Sequence, residues 1–126
     1  MKIIFVDDDV NVLKSLKRQM VLADIDAETF FSAETALVYL LQQKVDIVVS
    51  DLLMPGMDGV DFLEQVQKLY PETFRVVLTG TNSKNKRIQQ AYENRTIEQW
   101  FIKPCNIKEL LSYFKRIESH EQYSTV

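Results

Sequence analysis

Cysteine is almost missing from this chain: Cys105 stands alone among 126 residues. One thiol closes no internal disulfide and builds no zinc site, so the fold relies on neither. A partly buried free thiol accounts for it. Gly and Pro are scarce at 3 each, which excludes collagen-like repeats and Gly/Pro-rich disorder. No apolar run approaches the roughly 20 residues of a membrane-spanning helix. The apolar start Ile3-Ile4-Phe5-Val6 runs straight into three aspartates, so it is not a signal peptide. Cations are not in excess either: a net charge of -3 argues against autonomous nucleic-acid binding. What remains is a globular chain of one-domain length, able to bury a core without cross-links and expected in the cytoplasm.

Short β-rich runs alternate with longer helical ones. Strands are expected at residues 2–6, 26–30, 47–50, 75–79 and 99–102; the first and third are apolar on both faces, as central parallel strands are. Helices are expected at residues 11–23, with Leu13, Leu16 and Met20 on one stripe, and from an N-cap at Ser32 to about residue 43. Pro55, Gly56 and Gly59 break residues 53–59 into a turn. A third helix at about residues 60–70 would bury Phe62, Leu63, Val66 and Leu69 before Pro71. A weakly apolar helix follows at about residues 84–94. Ile107, Leu110, Leu111, Phe114 and Ile117 stripe the last one. Five strands alternating with five helices imply an α/β fold, a doubly wound parallel sheet with helices on both faces. Residues 1–119 form the domain, and residues 120–126 a polar, frayed tail.

In such a fold the functional crevice lies at the carboxyl ends of the strands. Asp7, Asp8 and Asp9 follow the first strand, Asp51 follows the third, Thr79 ends the fourth, and Lys103-Pro104 follows the fifth. Each has an ordinary reading alone: Asp9 serves as a helix N-cap, Thr79 as a turn residue, Lys103 as a solvated cation. Together they are hard to assign to chance. Two carboxylates about 4 Å apart repel by roughly 4 kcal/mol at an effective dielectric near 20, so the cluster needs compensating cations. Lys103 supplies one charge, and a divalent ion would supply the rest. An all-oxygen donor set favours Mg2+ or Mn2+, suited to bringing a phosphoryl group to a carboxylate nucleophile. A flavodoxin-like cofactor site is excluded because the first loop is acidic rather than Ser/Thr/Gly-rich. An EF-hand loop starting at Asp7 fails at Val12 and Arg18, where Gly and Glu are needed.

These residues resemble the receiver domain of two-component response regulators across essentially the whole chain. The resemblance rests on Ile3-Ile4-Phe5-Val6-Asp7-Asp8-Asp9, Ser50-Asp51-Leu52-Leu53-Met54-Pro55-Gly56-Met57-Asp58-Gly59, Leu78-Thr79-Gly80 and Ile102-Lys103-Pro104, in order at strand ends. It implies a flavodoxin-like strand order 2-1-3-4-5 and no enzymatic turnover beyond the domain's own phosphorylation and dephosphorylation. Asp51 would be the phosphoacceptor, and Asp8, Asp51 and the Leu53 carbonyl the Mg2+ ligands, with Asp7 acting through water. Thr79 would be the switch hydroxyl and Lys103 a phosphoryl contact, with the Lys103-Pro104 bond cis. Trp100 occupies the switch-aromatic position, though plain packing explains it equally well. Leu53 and Thr81 occupy the positions that tune phosphoryl lifetime, and Leu53 cannot orient a hydrolytic water. The implied partners are a sensor histidine kinase or histidine phosphotransfer protein upstream, and a separate protein or fused output domain downstream. Dimerisation on phosphorylation stays open.

The chain departs from the pattern beyond Thr79. The following helix is unusually polar, with only Ile88, Ala91 and Tyr92 to anchor it, and Glu93-Asn94-Arg95-Thr96-Ile97 replaces a common Gly-Ala pair. Residues 70–80 with Lys103-Pro104-Cys105 also look like receivers fused to HD-type phosphohydrolase domains. Two other readings compete: a receiver-like interaction module that is never phosphorylated, and a haloacid-dehalogenase-like phosphohydrolase, for which the chain is short and lacks an acidic pair after the fourth strand. Lys84, Lys86 and Arg87 read as a solvated helix face that an acidic partner could use, and His120 as a solvated side chain.

Overall fold

The computed structural model describes residues 1–80 and 85–124. Thr81, Lys84 and the His120 side chain, singled out above, lie outside the described residues. The elements run β1 (Lys2–Val6), α1 (Val10–Leu22), β2 (Asp26–Phe30), α2 (Ala33–Gln42), β3 (Ile47–Ser50), α3 (Gly59–Leu69), β4 (Phe74–Thr79), α4 (Lys86–Glu93), β5 (Gln99–Ile102) and α5 (Ile107–Ser124). All strand pairs are parallel, in the order β2-β1-β3-β4-β5. This is the doubly wound order the sequence implied.

Side-chain alternation along the central strands divides the core in two. Ile4, Val6, Val48 and Val77 face α2, α3 and α4, meeting Leu40, Phe62, Leu63, Val66 and Ile88. Ile3, Phe5, Ile47, Val49, Val76 and Leu78 face α1 and α5, meeting Leu13, Leu16, Met20, Leu110, Phe114 and Ile117. Both faces of the central strands are therefore dry, which is why β1 and β3 read as continuous apolar runs.

Local chemistry sets the element ends. Asp9 caps α1, accepting from Asn11 N at 2.9 Å and Val12 N at 3.3 Å; Ser32 caps α2 through Thr35 N at 3.1 Å. α4 starts later than the expected residue 84, because Asn85 is its cap and accepts from Arg87 N and Ile88 N. Leu69, expected in the core, is 39% exposed. The helical period carries the inward stripe from Val66 towards Tyr70, whose hydroxyl donates to Leu40 O at 2.5 Å. α5 crosses the boundary expected at Ser119 and reaches Ser124, since no Gly or Pro interrupts residues 107–124. Among the described residues no helix is long and apolar enough to cross a membrane.

Candidate functional site

The parallel ladder continues one residue beyond three strands and thereby aims the site. Asp7 N donates to Phe30 O at 3.0 Å, Asp51 N to Val6 O at 2.9 Å, and Lys103 N to Thr79 O at 2.8 Å. Asp7, Asp51 and Lys103 therefore leave the sheet at one level of its carboxyl rim. β4 lies between β3 and β5, so Thr79 ends between Asp51 and Lys103. It is buried.

Asp51 begins a turn that doubles back onto itself. Gly59 N, at the start of α3, donates to Leu52 O at 2.8 Å. A Cβ on Gly59 would stand 2.0 Å from the Asp51 carbonyl oxygen, so only glycine allows the helix to begin there. Gly56 takes a φ of +84°, the left-handed conformation the turn requires. Asp58 caps α3 through Asp61 N at 2.9 Å.

Lys103 Nζ donates to Asp7 Oδ2 at 2.6 Å and to Asp51 Oδ2 at 3.3 Å. Asp7 Oδ1 also accepts from Asp9 N at 2.9 Å, which fixes its carboxylate. Asp8 is exposed beside them, and one oxygen from each of Asp7, Asp8 and Asp51 falls within 4.8 Å of the others. The Lys103-Pro104 peptide bond is cis.

Three carboxylates face one ammonium here. Burial raises the Asp51 carboxyl above its ordinary range; the Lys103 charge works against this and the Asp7 charge adds to it. Burial alone would lower the Lys103 ammonium, but its hydrogen bond to Asp7 and the charges of Asp51 and Asp7 hold it above its usual value. Among the described residues the cluster therefore keeps an uncompensated negative charge at the rim. An all-oxygen, carboxylate-rich donor set of this size fits a hard divalent cation.

The sequence matches the response regulator receiver domain family over residues 3–115. The chain belongs to that family. Among curated relatives, this receiver is 33% identical to the heme response regulator HssR of Staphylococcus haemolyticus over 110 residues, 87% of this chain and 48% of that one. It is 29% identical to the DNA-binding transcriptional regulator NtrC of Salmonella typhimurium, over 93% of this chain and 24% of that one. The receiver thus spans about half or a quarter of these relatives' lengths. Among solved structures, the signal receiver domain of an HD domain-containing protein from Pseudomonas fluorescens Pf-5 superposes with a TM-score of 0.87 at 28% identity. It covers 98% of this chain and 90% of that one.

The structure brings Asp7, Asp8, Asp51 and Lys103 into one cluster, with Thr79 at the adjoining strand end. Leu53 presents an exposed side chain two residues beyond Asp51. Trp100 stands farther down β5, half-buried, opposite Val77 in register. Its ring meets that of Tyr92 edge-on, with centroids 5.2 Å apart. Two sets of contacts had no place in the sequence reading. Arg75 is a buried cation on β4. Arg87, read as part of a solvated face, is exposed there and also contacts Asp58 and Asp61.

Proposed function

We propose that Asp51 accepts a phosphoryl group from a sensor histidine kinase or histidine phosphotransfer protein, and that the modified domain signals by contact. The observation that carries this reading is the partly buried Asp51 carboxylate held 3.3 Å from Lys103 Nζ within a cluster of excess acid. An oxygen of Asp51 forms a bond to phosphorus as the donor's N–P bond breaks. That electron pair stays on the donor imidazole, which takes up a proton. The charge at the acceptor then rises to about -1.5 to -2, and three acceptor oxygens are added. The Lys103 ammonium neutralises one of them, and the Thr79 hydroxyl donates to another. Asp8, Asp51 and the Leu53 carbonyl would hold Mg2+ (or Mn2+), with Asp7 acting through water. The ion would offset the repulsion between the incoming phosphoryl group and the acidic rim.

Drawing Thr79 towards the phosphoryl group shifts an equilibrium between two arrangements, with Trp100 following into the space beneath. The α4-β5-α5 face then presents the change to a downstream protein or a fused output domain. Leu53 offers no polar group to a hydrolytic water, so the phosphorylated form decays slowly without a partner.

Intact mass after incubation with acetyl phosphate and Mg2+ tests this reading. Wild type gains one phosphoryl group, the gain needs the metal, and Asp51→Asn gains nothing. No gain in wild type, or an equal gain in Asp51→Asn, would overturn it.

A further inference from the structure

The start of α4 is fastened to the segment that carries Asp51. Arg87 Nε donates to Asp58 Oδ2 at 3.0 Å, and its Nη2 donates to Asp58 Oδ1 at 3.1 Å and Asp61 Oδ1 at 2.9 Å. Asp58 closes the turn that opens at Asp51, and its neighbour Gly59 is tied back to Leu52 O. One guanidinium therefore bridges the first turn of α4 and the end of the acceptor turn. A fork shared between two carboxylates is directional in a way a lysine contact is not.

The other end of α4 is held quite differently. Arg75 donates from Nε to Thr96 O at 2.8 Å and from Nη2 to Arg95 O at 3.2 Å, gripping the two carbonyls just beyond the helix. Gln67 Nε2 donates to the same Arg95 oxygen at 3.2 Å. The Arg75 side chain is 3% exposed, whereas that of Arg87 is 44% exposed. A buried, fully engaged cation is a fixed anchor; a half-exposed ion pair opens readily and weakens with salt.

We propose that the Asp58–Arg87–Asp61 triad is a latch: it restrains α4 against the acceptor turn, α4 swings about the Arg75 anchor, and the latch sets how readily phosphorylation moves the helix. The regulatory half of this inference rests on the receiver reading above. Movement of the acceptor turn displaces Asp58, so the fork must follow or release. An exposed pair of this kind biases two arrangements by roughly two- to fivefold, enough to tune a switch without freezing it. Trp100, packed on Tyr92 of α4, is the chain's one tryptophan and reports the helix position.

The test uses the whole chain as wild type, Arg87→Gln and Asp61→Asn. All of these keep the Asp58 cap. Amide exchange of α4 and Trp100 fluorescence are read with and without acetyl phosphate and Mg2+, and intact mass is taken on the same samples. Without a phosphoryl donor, α4 amides exchange roughly two- to fivefold faster in Arg87→Gln while α1 is unchanged, and Asp61→Asn, which keeps the Asp58 fork, falls between that variant and wild type. At matched phosphoryl occupancy, the Trp100 response is larger in Arg87→Gln than in wild type. Equal α4 exchange in wild type and Arg87→Gln, or faster α4 exchange in Asp61→Asn than in Arg87→Gln, would overturn the latch. No phosphoryl gain in wild type would instead remove the receiver reading and, with it, the regulatory role.

Discussion

At the lower end of the sheet, where β4 and β5 begin, Arg75 is 3% exposed and donates to Glu98 Oε1 and to the carbonyls of Pro71, Thr73, Arg95 and Thr96. At the upper rim, Lys103 faces Asp7, Asp8 and Asp51. One buried cation meets one carboxylate and a full set of acceptors; the other is outnumbered. The difference separates structure from function. Balanced, satisfied charge fixes the geometry of a strand pair, while excess charge of one sign is retained for something that arrives later.

Breaking the balanced end costs most. Arg75→Ala removes the side-chain donor to Glu98 Oε1 and to four backbone carbonyls and lowers stability by about 3–5 kcal/mol in chemical denaturation. Arg75→Met combined with Glu98→Gln recovers part of that loss. Gly59→Ala strikes the acceptor turn, because the new methyl meets the Asp51 carbonyl. We expect a loss of about 2 kcal/mol together with reduced phosphoryl uptake by intact mass.

Removing charge from the rim has the opposite sign. The folded-state pKa of Asp51 is raised, so below the ordinary carboxylate range both folded and unfolded chains hold its proton and it costs nothing. As pH rises through that range, the unfolded chain releases the proton first and folding becomes less favourable. Asp51→Asn should therefore be more stable than wild type at pH 7, by on the order of 1 kcal/mol. The advantage shrinks as pH falls towards the ordinary carboxylate range and is gone below about 4. Denaturation midpoints of both proteins across pH 3–8 check the sign. The smallest effect concerns Arg95, which adopts a φ of 61° just after α4, where glycine carries no Cβ penalty. Arg95→Gly should raise the thermal midpoint, with a gain of a few tenths to about 1 kcal/mol.

The rim was legible in sequence because its residues stand at successive strand ends, and chain order alone brings them to one edge of a parallel sheet. Strand positions were legible for a related reason: β1 and β3, dry on both faces, leave continuous apolar runs. The lower end was not. Arg75 looks like a charged residue opening a strand, and nothing local reveals that Arg95, Thr96 and Glu98 will supply acceptors for it. Arg87 was hidden the same way, since its acids lie 29 and 26 residues earlier. Leu69 and Tyr70 are adjacent candidates for one inward position, and the helical period favours either until the tyrosine hydroxyl finds Leu40 O. The length of α5 was missed because polarity was read as fraying, although the segment lacks a helix breaker.

The acidic rim, on this reading, holds surplus negative charge for a divalent cation. Thermal melting of wild type and Asp51→Asn at neutral pH, in chelator and in millimolar Mg2+, tests it most directly. The account predicts that Asp51→Asn melts higher in chelator, and that Mg2+ raises wild type well above its chelator value while moving the variant little. Equal Mg2+ responses in the two proteins, or a variant that melts below wild type in chelator, would contradict it.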